Sequence, residues 1–204
     1  MANYKDIKYN FSTSSNATGL GGAWKLIKTQ TVSSSVAALD FIDGTSDVVL
    51  DDTYETYLIV CCNMHPANSK PELRFHPGDG DFTDSKTSAQ WITRMSYGDG
   101  SVTVGYDDTN DLAAGTGGQS VAINVGNGNA TDSCSGHIYL HGPGETDTWK
   151  SFLYDFVSVT PDEMEGCHGG ANIQVEGAID RFRIDFSSGN IDAGSVSLYG
   201  FSDA

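Results

Sequence analysis

Two aspartate-rich segments are the first places where this sequence could do chemistry. Asp79, Asp81 and Asp84 interleave with Gly80, Phe82 and Thr83, and Asp107, Asp108, Asn110 and Asp111 form a second run. Closely spaced carboxylates can build an oxygen cage for a hard cation such as calcium, which takes roughly six to eight oxygens. Neither segment carries the terminal glutamate of an EF-hand loop. Aspartates in hairpin turns leave the same trace, because a short carboxylate bonds the backbone two residues on. Solvated turns are the expectation, with no metal and no cofactor. His137 and His141 stand four apart. A helix would bring them to one metal, but a strand holds them about 13 Å apart on one face. Ile138 and Leu140 alternate with them as in a strand, so both are expected at an exposed or rim position. His65, His76 and His168 have no partner in the local sequence.

Nucleophilic and phosphate chemistry find no framework. Serine, histidine and aspartate abound, yet no Gly-x-Ser-x-Gly elbow occurs. The Gly-Asp-Gly and Gly-Thr-Gly-Gly segments neither lead from a parallel strand into a helix nor end in Gly-Lys-Ser/Thr. No pair among the 27 acids is marked out by spacing for glycoside hydrolysis. Enzymatic activity is therefore not expected. Trp24, Trp91, Tyr97 and Tyr106 could stack on sugars, but aromatics also fill sandwich cores, and core filling is the expectation for these four. Cys61 and Cys62 would face opposite sides of a strand. With Cys134 and Cys167 they form no CxxC spacing, so four free thiols are expected.

The elements that would position these residues are strands. Alternation is cleanest where Phe182, Ile184 and Phe186 interleave with Arg181, Arg183 and Asp185. Strands are expected at 24–31, from Val36 to Ile42, around Leu73 and Phe75, over a short Gln90–Met95, and at Val102, Val104 and Tyr106. Further ones fall at Val121, Ile123 and Val125, at 137–141, and from Ser195 to Phe201. Tyr54 to Cys62 reads as a strand buried on both faces. Trp149 to Val159 carries Phe152, Tyr154 and Phe156 on one side and Trp149, Leu153 and Val157 on the other, as a central strand does. His76 to Asp81 reads as a turn. Thr160, Pro161 and Glu163 have the spacing of a helix cap, so one or two helical turns are expected there. Roughly ten or eleven strands separated by turn signals predict an all-β fold: an antiparallel β-sandwich, jelly-roll-like, with an N-terminal extension. Residues 1–22 are read as an arm or tail and 23–204 as the sandwich domain.

Composition narrows the partners. The chain has 204 residues, with 11 Lys+Arg against 27 Asp+Glu, a net charge of −16. Such a chain is repelled by nucleic acid phosphate and by anionic membrane surfaces; neither is expected as a partner. No stretch of about 18 apolar residues is present to span a membrane. The N-terminus lacks an apolar h-region, so folding in a reducing cytoplasm is expected.

Several segments together carry a resemblance. Ala23-Trp24-Lys25-Leu26-Ile27-Lys28-Thr29-Gln30-Thr31, then Ser33-Ser34-Ser35 and Leu39-Asp40-Phe41, resemble the opening of small β-rich virion structural proteins of marine tailed phages, cyanophage-like capsid decoration, fibre or tail proteins. Tyr54-Glu55-Thr56-Tyr57, Asn63-Met64-His65-Pro66 and Glu72-Leu73-Arg74-Phe75 are similar to the same family. So are Phe182 to Ile191 and Gly194-Ser195-Val196-Ser197-Leu198-Tyr199-Gly200-Phe201. The likeness covers residues 23–201 in patches. It implies a structural role on the virion and transfers no catalytic residue. The expectation is a non-enzymatic capsid decoration protein on the particle exterior, made in the host bacterial cytoplasm. Its partners would be the major capsid protein or tail components. The alternative is a tail or fibre head that binds host-surface glycans. A homo-oligomer is expected, with a trimer as first choice because capsids offer threefold sites. Residues 1–22 fall outside the likeness. They carry Tyr4, Ile7, Tyr9 and Phe11 at near-alternate spacing beside Lys5 and Lys8, so they are expected to bind a partner by adding a strand to its sheet edge.

Overall fold

The computed structural model describes residues 23–129 and 131–202; Tyr4, Ile7, Tyr9 and Phe11 lie outside them. The described residues form twelve strands and no helix: β1 (Ala23–Thr31), β2 (Ala38–Ile42), β3 (Thr56–Pro66), β4 (Leu73–Gly78), β5 (Lys86–Ser96), β6 (Val102–Tyr106), β7 (Gln119–Ala122), β8 (Cys134–His141), β9 (Lys150–Val159), β10 (Glu163–Ile173), β11 (Arg181–Phe186) and β12 (Ile191–Ser202). They make two antiparallel sheets. The larger runs β1-β12-β3-β8-β9-β10-β5-β6 and the smaller β2-β11-β4-β7. The expected antiparallel sandwich is what forms. A jelly roll is built from eight strands in two Greek keys, and this twelve-strand order supports the sandwich without that finer wiring.

Period-two alternation decides what lies between the sheets. The larger sheet contributes Tyr57, Ile59 and Cys61 from β3, Ile138 and Leu140 from β8, and Phe152, Tyr154 and Phe156 from β9. The smaller contributes Phe41, Phe75, Phe182 and Ile184. Aromatic packing ties the layers together. Phe75 meets Phe152 edge-on at 5.0 Å across the sandwich, and Phe41 stacks on Phe182 at 4.6 Å within the smaller sheet. Each such side chain stabilises the fold by about 1.5–3 kcal/mol through removal from water.

Several expectations change. Thr160 to Glu163 is not a helix but the tight turn joining β9 to β10. The Thr160 hydroxyl accepts from the Glu163 amide at 3.1 Å and the Asp162 amide at 3.3 Å, and the Thr160 amide donates to the Glu163 carbonyl. A helix N-cap and this turn use the same local bonds; the full-length pairing of β9 with β10 decides between them. His76, Pro77 and Gly78 are strand residues paired with Arg183, Phe182 and Arg181, so the turn begins only at Asp79. β5 is eleven residues long rather than short. β3 is buried on one face, not both: Cys61 is buried and Cys62 exposed.

Candidate functional site

The two outward faces of the sandwich differ in kind. On the smaller sheet, outward residues are charged and paired. Arg74 grips Asp185 through two bonds of 2.9 Å, and His76 Nε2 lies 3.0 Å from the same carboxylate. Arg183 grips Asp40 at 2.7 and 2.8 Å, with its guanidinium 4.3 Å above the Phe82 ring. Burial works against ionisation of Asp185, but the bonds from His76 and Arg74 outweigh it and hold the carboxyl below the usual range. This is how a solvated sheet face normally looks.

The outward face of the larger sheet has no such ladder. One lateral row runs Leu26, Tyr199, Leu58, Tyr139, Leu153, Gly170 and Ala89 across seven strands. The next runs Thr29, Ser197, Val60, His137, Asp155, His168, Trp91 and Tyr106 across all eight. Asp155 is the one carboxylate among the outward-pointing paired residues of this sheet, and no lysine or arginine stands there. Its Oδ1 lies 3.0 Å from His168 Nδ1. In a chain of net charge −16, this face therefore holds almost none of the charge. Leu153 is 55% exposed, Trp91 57% and Val104 68%. The seven strand spacings of about 4.8 Å make the face about 34 Å wide, more than the scattered apolar residues of an ordinary surface.

Two aromatic groups stand on it. Trp91 meets Tyr106 edge-on at 6.0 Å, with Tyr97 and Met95 exposed nearby in sequence. Trp24 packs 5.2 Å from Phe201 and 5.9 Å from Tyr139, and His137 and His141 flank Tyr139 at 5.1 and 6.4 Å. Trp24, Trp91, Tyr97 and Tyr106 are therefore exposed, which corrects the expectation that they fill the core. Between Leu153 and Ala89 the face dips over Gly170, where an added Cβ would stand 2.8 Å from a Leu153 methyl. β10 thus lays a small-residue floor between two walls.

The aspartate-rich segments are turns. Asp81 Oδ1 accepts from the Thr83 amide and hydroxyl, and Asp107 Oδ1 from the Thr109 amide. Bonds from Thr83 hold Asp81 below the usual carboxylate range. Among the described residues no three histidine, cysteine or acidic groups stand together as a metal site would need. His76 and His168 do have carboxylate partners, which sequence reading missed because Asp185 and Asp155 come from other strands. All four cysteines are free thiols. A cleft of about 710 Å³ opens where β3 and β12 bulge, lined by Thr31, Cys62, Asn63, His65, Asp132 and Gly194. The Asp132 carboxylate there is engaged by the amides of Gly128 and Asn129.

Comparison with family models, curated proteins and solved structures gave no match.

Proposed function

We propose that the protein is a non-enzymatic structural component of a phage virion, a decoration protein of the capsid exterior that seats on its protein neighbours through the outward face of the larger sheet. The observation that carries this reading is the contrast between the two faces. One is a charged ladder suited to water, and the other is an eight-strand, nearly uncharged surface of exposed apolar and neutral polar side chains with a single carboxylate among its paired outward residues. A face about 34 Å wide, covered over five or six residues of strand length, amounts to roughly 600 Å², the lower end of the share each partner contributes to a standard protein interface. The patchwise likeness to small β-rich virion proteins supplies the particle as its setting.

Purified chain added to particles that lack it should appear by cryo-electron microscopy as regular density over the capsomers. A Leu153→Asp/Trp91→Ser variant should keep its thermal midpoint within a few degrees and lose that density. Full occupancy by the variant would reject the face as the seat. A second reading is a tail or fibre head that binds host-surface glycans. The glycine-floored dip beside exposed Trp91 favours it, since aromatic faces stack on sugar rings. Density confined to the tail or vertices, with binding to neutral glycans abolished by Trp91→Ser, would select it.

A further inference from the structure

Four strands end the two sheets, and three of them are protected in the ways edge strands usually are. β1 carries Lys25 and Lys28 and a bulge between Leu26 and Lys28. β2 has its Asp40 carbonyl taken by the Gln30 side chain at 2.7 Å. β7 is four residues long and buried throughout. β6 is the exception. Its sequence Val102-Thr103-Val104-Gly105-Tyr106 holds no charge, proline or bulge, and all but Gly105 are exposed.

The hydrogen-bond phase shows what β6 offers. The Asp107 amide donates to the Gln90 carbonyl, and the Ser96 amide to the Ser101 carbonyl. Bonded pairs alternate along an antiparallel ladder, so residues 101, 103, 105 and 107 turn towards β5. Val102, Val104 and Tyr106 therefore point their amides and carbonyls away from the sheet, three donors and three acceptors in a row. Each end of this row has an exposed aspartate, Asp99 before it and Asp108 after it.

We propose that the open edge of β6 receives residues 4–11 of a second copy of this chain as an added strand. Three observations select this occupant. The segment Tyr4-Lys5-Asp6-Ile7-Lys8-Tyr9-Asn10-Phe11 supplies apolar side chains at near-alternate spacing, which an added strand needs. Its Lys5 and Lys8 complement the aspartates at the ends of β6, where a second β6 would bring carboxylate against carboxylate. Reach decides between copies. β1 and β6 are the opposite edges of the larger sheet, about 34 Å apart. The twelve residues from Phe11 to Ala23 span about 40 Å fully extended, leaving almost no slack to clear the side chains standing on the sheet between them. A neighbouring copy sets no such limit. The contact is head-to-tail, so it closes into a ring where the rotation allows. It stands independently of whether the outward face of the larger sheet meets a capsid.

Light scattering of the full chain at micromolar concentration should give a closed oligomer. Deletion of residues 1–21 should return a monomer with unchanged circular dichroism, and Lys5→Glu/Lys8→Glu should weaken assembly at least tenfold. Val104→Pro removes an outward amide without breaking a bond to β5 and should also give a monomer. Val104→Lys, which keeps the backbone intact, is its companion should the proline variant misfold. A labelled peptide of residues 1–14 should bind the truncated chain, bind its Val104→Lys form at least tenfold more weakly, and weaken severalfold between about 50 and 500 mM salt. A peptide that fails to bind the truncated chain, or binds the Val104→Lys form equally well, overturns the proposal. So does a monomeric full chain that rejects the peptide its truncated form accepts, because the arm would then lie on its own β6.

Discussion

Lys86 and Lys150 are both lysines with no exposed surface to speak of, yet their surroundings differ in a way that separates them experimentally. Lys150 Nζ donates to the carbonyls of Thr148, Glu176 and Gly177 at 2.9, 2.7 and 2.6 Å. Lys86 Nζ donates to the Asp84 carbonyl alone. Burial drags the Lys86 ammonium from 10.5 down to about 8, against the pull of Asp84 and Asp81. Between these values the unfolded chain holds a proton the folded chain has released, so stability rises with pH across that window. Lys86→Met should therefore stabilise the protein at pH 7, by on the order of 3 kcal/mol at about 1.36 kcal/mol for each unit by which burial lowers the ammonium, and the advantage should shrink as pH climbs to about 10. Lys150→Met should instead destabilise it by a few kcal/mol, because it strands buried carbonyls. Urea titrations of both variants at pH 7 and 9.5 check the pair. The thiols divide similarly. Burial pushes Cys167 up to about 12 and raises Cys61 and Cys134 as well, whereas Cys62 faces solvent. Alkylation of native protein should label Cys62 alone, and unfolding should expose the other three; rapid labelling of a second thiol in the native state would contradict the packing.

At the scale of the strand, alternation was readable and its surroundings were not. The pattern of β9 told which residues share a side, and its place in mid-sheet follows from two apolar sides. It could not tell that only the Phe152 side would be covered, because the covering layer, the smaller sheet, is assembled from four segments spread from residue 38 to 186. The same blindness hid the exposure of Trp91 and Tyr106: residue type was legible, but the side facing water depends on which sheet stacks where. The Thr160 turn was misread because its bonds are local and common to two structures. Adjacent residues on β9 should accordingly behave oppositely. Phe152→Ala should cost about 3–5 kcal/mol as a core cavity. Leu153→Ala should stay within about 0.5 kcal/mol as a surface change. Equal losses in denaturant melts would mean that the outward face is covered within the monomer.

The whole molecule carries a net charge of −16, and two opposing effects of pH act on it. Self-repulsion among surplus carboxylates weakens the compact state near neutrality and is screened by salt. Meanwhile several carboxyls sit below their usual range: Asp180 through its bonds from Arg181, and Asp185 because the bonds from His76 and Arg74 exceed the penalty of burial. A depressed carboxyl contributes stability that is complete above its unfolded value, about 3.9, and is lost as pH falls through the lower folded one. Acidification from pH 7 should first stabilise the protein as net charge shrinks towards the isoelectric point near 4.3. Below about pH 4 it should destabilise it steeply as the Arg74–Asp185 and Arg181–Asp180 pairs lose their anions. Thermal melts should therefore peak between about pH 4 and 5. At pH 7, 0.5 M sodium chloride should raise the midpoint by several degrees, and near pH 4.5 the same salt should change it little. A midpoint that rises steadily from pH 5 to 8, or that ignores salt at pH 7, would mean that the paired aspartates of the smaller sheet govern stability and that net charge does not.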